Sequence, residues 1–185
     1  MEDTKIISRE QYYEGHVFNV EKVHVRLPDN REREYDLVEH ADAVTILPID
    51  DEGMVYFVRQ FRVGAEKELL ELPAGVMDEG EQPLESAHRE LQEEIGRDAS
   101  QMERIGGFYM APGYSNEYMH VYFATHLREH ALEQDEDEFL SLVKVDVRQV
   151  LGMIQSGQIE DGKTISAFML AMPMLNELLM ASNGF

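Results

Sequence analysis

Seven carboxylates and two guanidiniums crowd into the run GVMDEGEQPLESAHRELQEEIGR between Gly75 and Arg97, and four of the glutamates are spaced around one arginine. Glu81 comes ahead of Arg89, and Glu90, Glu93 and Glu94 follow it directly. On a helix, at about 100° per residue, Glu90 and Glu94 stand one turn apart and Glu93 lies beside them. Carboxylates that close repel, and each like-charge pair costs a helix about 0.2–0.5 kcal/mol. A hard divalent cation offsets that repulsion directly. Mg²⁺ takes oxygen ligands and is usually held by a few carboxylates together with substrate phosphates. Taken without their surroundings, three glutamates read as a solvated acidic face, the usual fate of a charge run.

The surrounding residues supply a frame for that chemistry. Asp78, Glu79 and Gly80 make a turn, because glycine supplies the positive φ that tight loops need. Pro83 suits the first helical position, where its missing N–H is not needed, and Gly96 is a C-terminal stop. Between them Leu84, Ala87, Leu91 and Ile95 recur at spacings of three and four and form one apolar face.

The whole spacing resembles the Nudix hydrolase signature: glycine, five residues, glutamate, seven residues, then Arg-Glu-hydrophobic-x-Glu-Glu-x-Gly-hydrophobic. Gly75, Glu81, Arg89, Glu90, Leu91, Glu93, Glu94 and Gly96 match it. Arg97 departs, standing where the family has an aliphatic residue, and the expected consequence is altered local packing rather than lost catalysis. The signature spans about an eighth of the chain, and further family-like features run from about residue 40 to 170. The resemblance implies Glu90 and Glu94 as metal ligands, with Glu93 bridging or holding a metal-bound water and so acting in catalysis. It adds the carbonyl of Ala74 as a further ligand, Mg²⁺ as the cofactor and Mn²⁺ as the second candidate. Gly75, Glu81, Arg89 and Gly96 take structural roles, Arg89 by pairing with Glu81 or a neighbour.

Features outside the signature resemble the ADP-ribose and ADP-sugar pyrophosphatases of the family. Pro112 falls fifteen residues after Arg97, and the loop APGYSNE brings Gly113 and Glu117 with it. The stretch VRQFR makes Arg59 and Arg62 candidates for the pyrophosphate or terminal ribose, and ELPAG adds Glu71. The ordinary reading of both arginines is a strand-edge cation paired with Glu68 or Glu71. Similar enzymes carry an acidic loop that supplies a catalytic glutamate, which points to Glu138 first and Glu136 second. The implied reaction is hydrolysis of ADP-ribose to AMP and ribose 5-phosphate. Alternatives are GDP-mannose, NADH, a diadenosine polyphosphate, a broad range of ADP compounds, or a non-catalytic nucleotide sensor.

The chain has 185 residues, no cysteine and a formal net charge of −21. That charge argues against nucleic acid as a partner, since phosphate contacts need a basic surface. An anionic substrate must then be captured by metal and a few local cations. The start of the chain lacks a signal-peptide pattern, and the apolar stretch 165–180 is broken by Pro173, Asn176 and Glu177, so a soluble, cytoplasmic protein without membrane contact is expected.

Strands are expected at 17–27 and 31–40 as a hairpin, 44–49 and 54–61 as a second pair, 68–72, 102–110, 118–125 and 139–145. One helix is expected after Asp146, with Val147, Val150, Leu151 and Ile154 inward and Gly157 as its stop. The last, from about Thr164, should carry Phe168, Met172, Leu175 and Leu179 inward. The fold class is α+β, an α/β/α Nudix-like sandwich with a mixed sheet and an extra N-terminal β-hairpin or sheet. Residues 1–40 form that extension, expected to pair two copies into a homodimer, and 41–185 the catalytic domain.

Overall fold

The hairpin expected at 17–40 is present, but the sheet it belongs to begins earlier in the chain. The structure, a computed structural model, describes residues 3–132 and 139–182. It divides into two units, Met1–Asp42 with Phe108–Tyr118, and Ala43–Gly107 with Met119–Phe185.

In the first unit β1 (Lys5–Glu14), β2 (Asn19–Arg26) and β3 (Glu32–Glu39) form an antiparallel sheet in that order. The β1 segment reads as polar chain, yet its Ile6, Ile7, Tyr12 and Tyr13 are strand formers. It pairs with β2 from Lys5↔Arg26 to Glu14↔Asn19, with two register shifts. The turn between β2 and β3 closes through Leu27 N–H to Arg31 O, with Asn30 at φ 65°. The loop after Tyr109 docks on β3: Val38 N–H donates to Tyr114 O at 2.7 Å and His40 N–H to Asn116 Oδ1 at 2.8 Å.

The second unit contains β4 (Ala43–Pro48), β5 (Met54–Arg62), β6 (Lys67–Glu71), β7 (Ala74–Val76), α1 (Pro83–Ile95), β8 (Arg97–Tyr109) as far as Gly107, β9 (Tyr118–Glu129) from Met119, β10 (Ser141–Asp146), α2 (Val147–Gln155) and α3 (Gly162–Ser182). The expected pairing of 44–49 with 54–61 is not made. Strand β4 lies in the mixed sheet β7-β4-β9-β8, whereas β5 lies in the antiparallel sheet β10-β5-β6, and the single bridge Ile49↔Val55 links them. The cause is that β4 is buried along its whole length and pairs parallel with β9 on one side and antiparallel with β7 on the other. A central strand with both neighbours taken has no edge left for β5.

Helix α1 covers one face of this framework. Ala87, Leu91 and Ile95 pack with Val44, Ile46, Tyr56, Val58, Ala99, Tyr122 and Ala124. Leu84, expected in that face, is exposed, because it sits in the first turn, ahead of the core contact that begins at Ala87. The helix starts with a Gln82–Glu85 capping box and Pro83, and ends at Gly96 in the left-handed region, φ 65°. Arg97 opens β8 and pairs with Glu129 on β9 at 3.1 Å.

On the opposite face Phe57 of β5 stacks on Phe168 of α3, centroids 6.0 Å apart. Asp146 caps α2, accepting from Arg148 N–H at 2.9 Å. Two inward expectations fail here. Leu151 is exposed while Val150 is buried, and Met172 is exposed because the buried stripe of α3 runs through Thr164, Ala167, Phe168, Ala171 and Leu175. Among the described residues no helix is long and apolar enough to cross a membrane.

Candidate active site

The short strand β7 and the helix α1 bring the signature residues together. Register places Gly75 opposite Val44 and Ala74 opposite Thr45, so this edge is fixed to the central strand. Glu94 accepts a hydrogen bond from Ala74 N–H at 3.0 Å. The carboxylate of Glu90 lies where a side chain at position 75 would begin, so any Cβ there collides with it. Glycine at 75 is thus required by the close approach of a carboxylate. Glu90 and Glu94 are 7% and 4% exposed.

Arg89 ties loop and helix together. Its guanidinium donates to both oxygens of Glu81 at 2.9 and 3.0 Å, to Glu90 at 2.6 Å, to Glu93 at 2.9 Å and to the carbonyl of Val76 at 3.2 Å. Hydrogen bonds from Arg89 hold the Glu81 carboxyl down at about 2, and Glu81 in turn raises the guanidinium pKa. Asp78 N–H adds a bond to Glu81 at 3.0 Å, which closes the loop.

Three carboxylates therefore meet one cation, and a fourth, Glu94, meets the Ala74 amide beside them. Partly buried oxygen donors whose charge Arg89 balances only in part fit a hard divalent ion in kind. They are gathered on Arg89 and the Ala74 amide rather than converged on one point. Among the described residues no three His, Asp or Glu side chains form a ready coordination shell. An ion taken up here competes with Arg89 for Glu90 and Glu93.

The other expected residues fall in several places. Arg62 and Glu71 engage each other in a bidentate pair at 2.8 and 2.7 Å. Glu71 is 1% exposed and also holds Lys163 of α3, which reaches Asp161 at 3.1 Å. Burial pushes the Glu71 carboxyl up, but bonds and charge from Arg62 and Lys163 outweigh it and leave it below the ordinary range. Lys163 stands far from Glu71 in sequence, and no spacing signalled it.

Arg59 follows Phe57 by two residues and shares its face rather than that of Val58. Pro112, Gly113 and Glu117 belong to the loop of the first unit, where Glu117 O accepts from Met110 N–H at 3.1 Å. Glu136 and Glu138 lie outside the described residues. One further cluster was not foreseen: Asp98 of β8 takes His88 of α1 at 2.6 Å and Arg128 of β9 at 2.5 Å. Burial raises the Asp98 carboxyl, yet these two partners prevail and hold it at about 2.

A glutamate-rich helix laid over a mixed sheet, tied by one arginine to its preceding loop, defines a class. The chain belongs to the NUDIX family, its residues 39–168 matching the NUDIX domain. It is 36% identical to the ADP-ribose pyrophosphatase of Bacillus subtilis (strain 168) over 181 residues, 97% of each chain. It is also 36% identical to the methanol dehydrogenase activator of Bacillus methanolicus over 167 residues, 89% of this chain and 90% of that one. A crystal structure of an ADP compounds hydrolase superposes with a TM-score of 0.85 at 28% identity, covering 96% of both chains.

Proposed function

We propose that the protein hydrolyses the pyrophosphate of a nucleoside diphosphate sugar, with ADP-ribose as first substrate and AMP and ribose 5-phosphate as products. The observation that carries this reading is the assembly of Glu81, Arg89, Glu90, Glu93 and Glu94 at the Ala74–Gly75 edge. The pyrophosphatase name of a relative aligned along nearly the whole chain supports the substrate class. Glu90 and Glu94, with the Ala74 carbonyl, would hold Mg²⁺ or Mn²⁺. Such an ion neutralises phosphoryl oxygens and lowers the pKa of water. Glu93, less buried than Glu90 and Glu94, is suited to orient the attacking water. That water adds across one P–O bond of the bridge, leaving a phosphate on each product. Arg89 keeps the loop and helix in register throughout.

The ADP compounds hydrolase similarity favours a second reading, in which several ADP derivatives are accepted. A nucleotide substrate suits a cytoplasmic location. A homodimer through β1–β3 also belongs to this reading, supported by Ile6, Ile7, Tyr12 and Tyr13 standing exposed on β1.

The test is a panel of ADP-ribose, GDP-mannose, NADH and diadenosine polyphosphates in Mg²⁺ and in Mn²⁺, with products separated. The highest kcat/KM is expected for ADP-ribose. Nucleotide binding without turnover in either metal would instead establish a sensor.

A further inference from the structure

The acid surplus of this chain makes arginines without a carboxylate informative. The sequence carries 37 Asp and Glu against 16 Lys and Arg, so an exposed guanidinium finds a carboxylate easily. In the second unit Arg62, Arg89, Arg97, Arg128 and Arg148 are all ion-paired. Among the described residues Arg59 and Arg104 of this unit are in no ion pair with a carboxylate. Arg59 sits on the face of Phe57, as described above. Arg104 is exposed and held by another group: its Nη2 donates to Nδ1 of His120 at 3.2 Å. A guanidinium has no acceptor, so Nδ1 accepts, and the remaining donors of Arg104 are left for another partner.

Register places this pair on the face of the signature helix. Gly75 pairs with Val44 on β4, and Val44 pairs with His120 on β9, in one row across three strands. Gly75 meets Glu90, Val44 is buried under α1, and Tyr122, two residues after His120, joins the same core. Met102, two residues before Arg104 on β8, packs there as well. At about 4.8 Å between strands, His120 stands about 10 Å from Gly75 along this row and β8 one strand further. A substrate with its pyrophosphate at the Glu90 end and extended along this face meets Arg104 well away from the scissile bond.

We propose that Arg104, positioned by His120, takes a phosphoryl group that the substrate carries outside the scissile pyrophosphate. This rests on the hydrolase reading above. The planar fork of five donors matches phosphate oxygens, whereas the major-groove edge of adenine sets an acceptor beside a donor and meets such a fork only half-way. The further substrates this contact admits beside ADP-ribose are nucleoside diphosphate compounds with one more phosphate, either on a ribose hydroxyl or in a longer bridge.

The experiment compares kcat/KM for ADP-ribose, ADP-ribose 2′-phosphate and diadenosine tetraphosphate in wild type, Arg104→Gln, Arg104→Lys and Arg104→Glu, with folding checked by circular dichroism. Arg104→Gln is expected to lower the ratio of a phosphate-bearing substrate to ADP-ribose about tenfold, through KM, as loss of one charge-assisted contact does. Arg104→Lys should restore part of that ratio and Arg104→Glu should lower it further. Whichever phosphate-bearing substrate responds identifies where the extra group sits. Ratios within about twofold of wild type for both substrates, with ADP-ribose still hydrolysed, overturn this inference alone. If wild type turns over none of the three, the hydrolase reading falls and the inference with it.

Discussion

Arg89 determines how the glutamates are presented, because one guanidinium meets Glu81, Glu90 and Glu93 together. Its bond lowers the Glu81 carboxyl from an ordinary 4.5 to about 2, and this fixes a sign. A depressed pKa contributes stability that is complete above 4.5 and is lost as pH falls through about 2. Glu81→Gln should therefore lower Tm most at neutral pH, with the gap to wild type closing between pH 4.5 and 2 in thermal scans. A gap independent of pH would mean that the ion pair contributes nothing. Gly75→Ala tests the close approach: the new methyl displaces the Glu90 carboxylate, so kcat should fall about tenfold or more, roughly 1.4 kcal/mol of barrier. Unchanged kcat in that variant would remove the steric account of Gly75. These residues were legible in the sequence because their partners lie within a turn or a short loop. Lys163 beside Glu71 was not, since the two come together only through the packing of α3. Arg104 beside His120 was missed for the same reason, as only strand pairing brings them together.

At the level of elements, the signature helix is fixed by its core face and by a polar clamp. Asp98 joins His88 of α1 to Arg128 of β9, so the middle of the helix is tied to two strands of the mixed sheet. Removing the charge leaves that clamp half-made. Asp98→Asn should cost about 1–3 kcal/mol in denaturant unfolding, the range for losing bonds to a charged buried partner. An equal stability in wild type and variant would show the clamp to be idle. Helix boundaries were readable because proline, capping box and glycine act locally. Strand partners were less so. β4 and β5 look like a hairpin around Asp50-Asp51-Glu52-Gly53, and Asp50 does brace that turn, accepting from Glu52 N–H at 3.0 Å and Met54 N–H at 2.9 Å. The choice of partner was made elsewhere, by β9, which lies more than seventy residues on. Strand β1 was hidden by its charged residues, although its exposure on both faces explains why such residues are tolerated.

For the whole molecule, the net charge of −21 and the exposed strand β1 set two expectations. An anionic substrate approaches against repulsion, and salt screens that field over about 8–10 Å at physiological strength. KM for ADP-ribose should therefore fall as ionic strength rises from low values, and a rising KM would argue for a locally basic approach. Strand β1 is exposed along its entire length and displays Ile6, Ile7, Tyr12 and Tyr13. A homodimer is expected in light scattering at micromolar concentration, and an active monomer would contradict it. The Nudix fold was legible as a whole because one signature implies the sheet and helix that carry it; the division of the chain was less so, since 108–118 groups with the N-terminal strands. In the proposed reaction the glutamates of α1 run a metal-dependent pyrophosphate hydrolysis. Its most direct measurement is single-substrate turnover of ADP-ribose by wild type, Glu93→Gln and Glu94→Gln at saturating Mg²⁺, with products identified. Wild type should give AMP and ribose 5-phosphate, abolished by a chelator, and kcat should be lower by about a hundredfold or more in both folded variants. Near-normal turnover in both variants would contradict it.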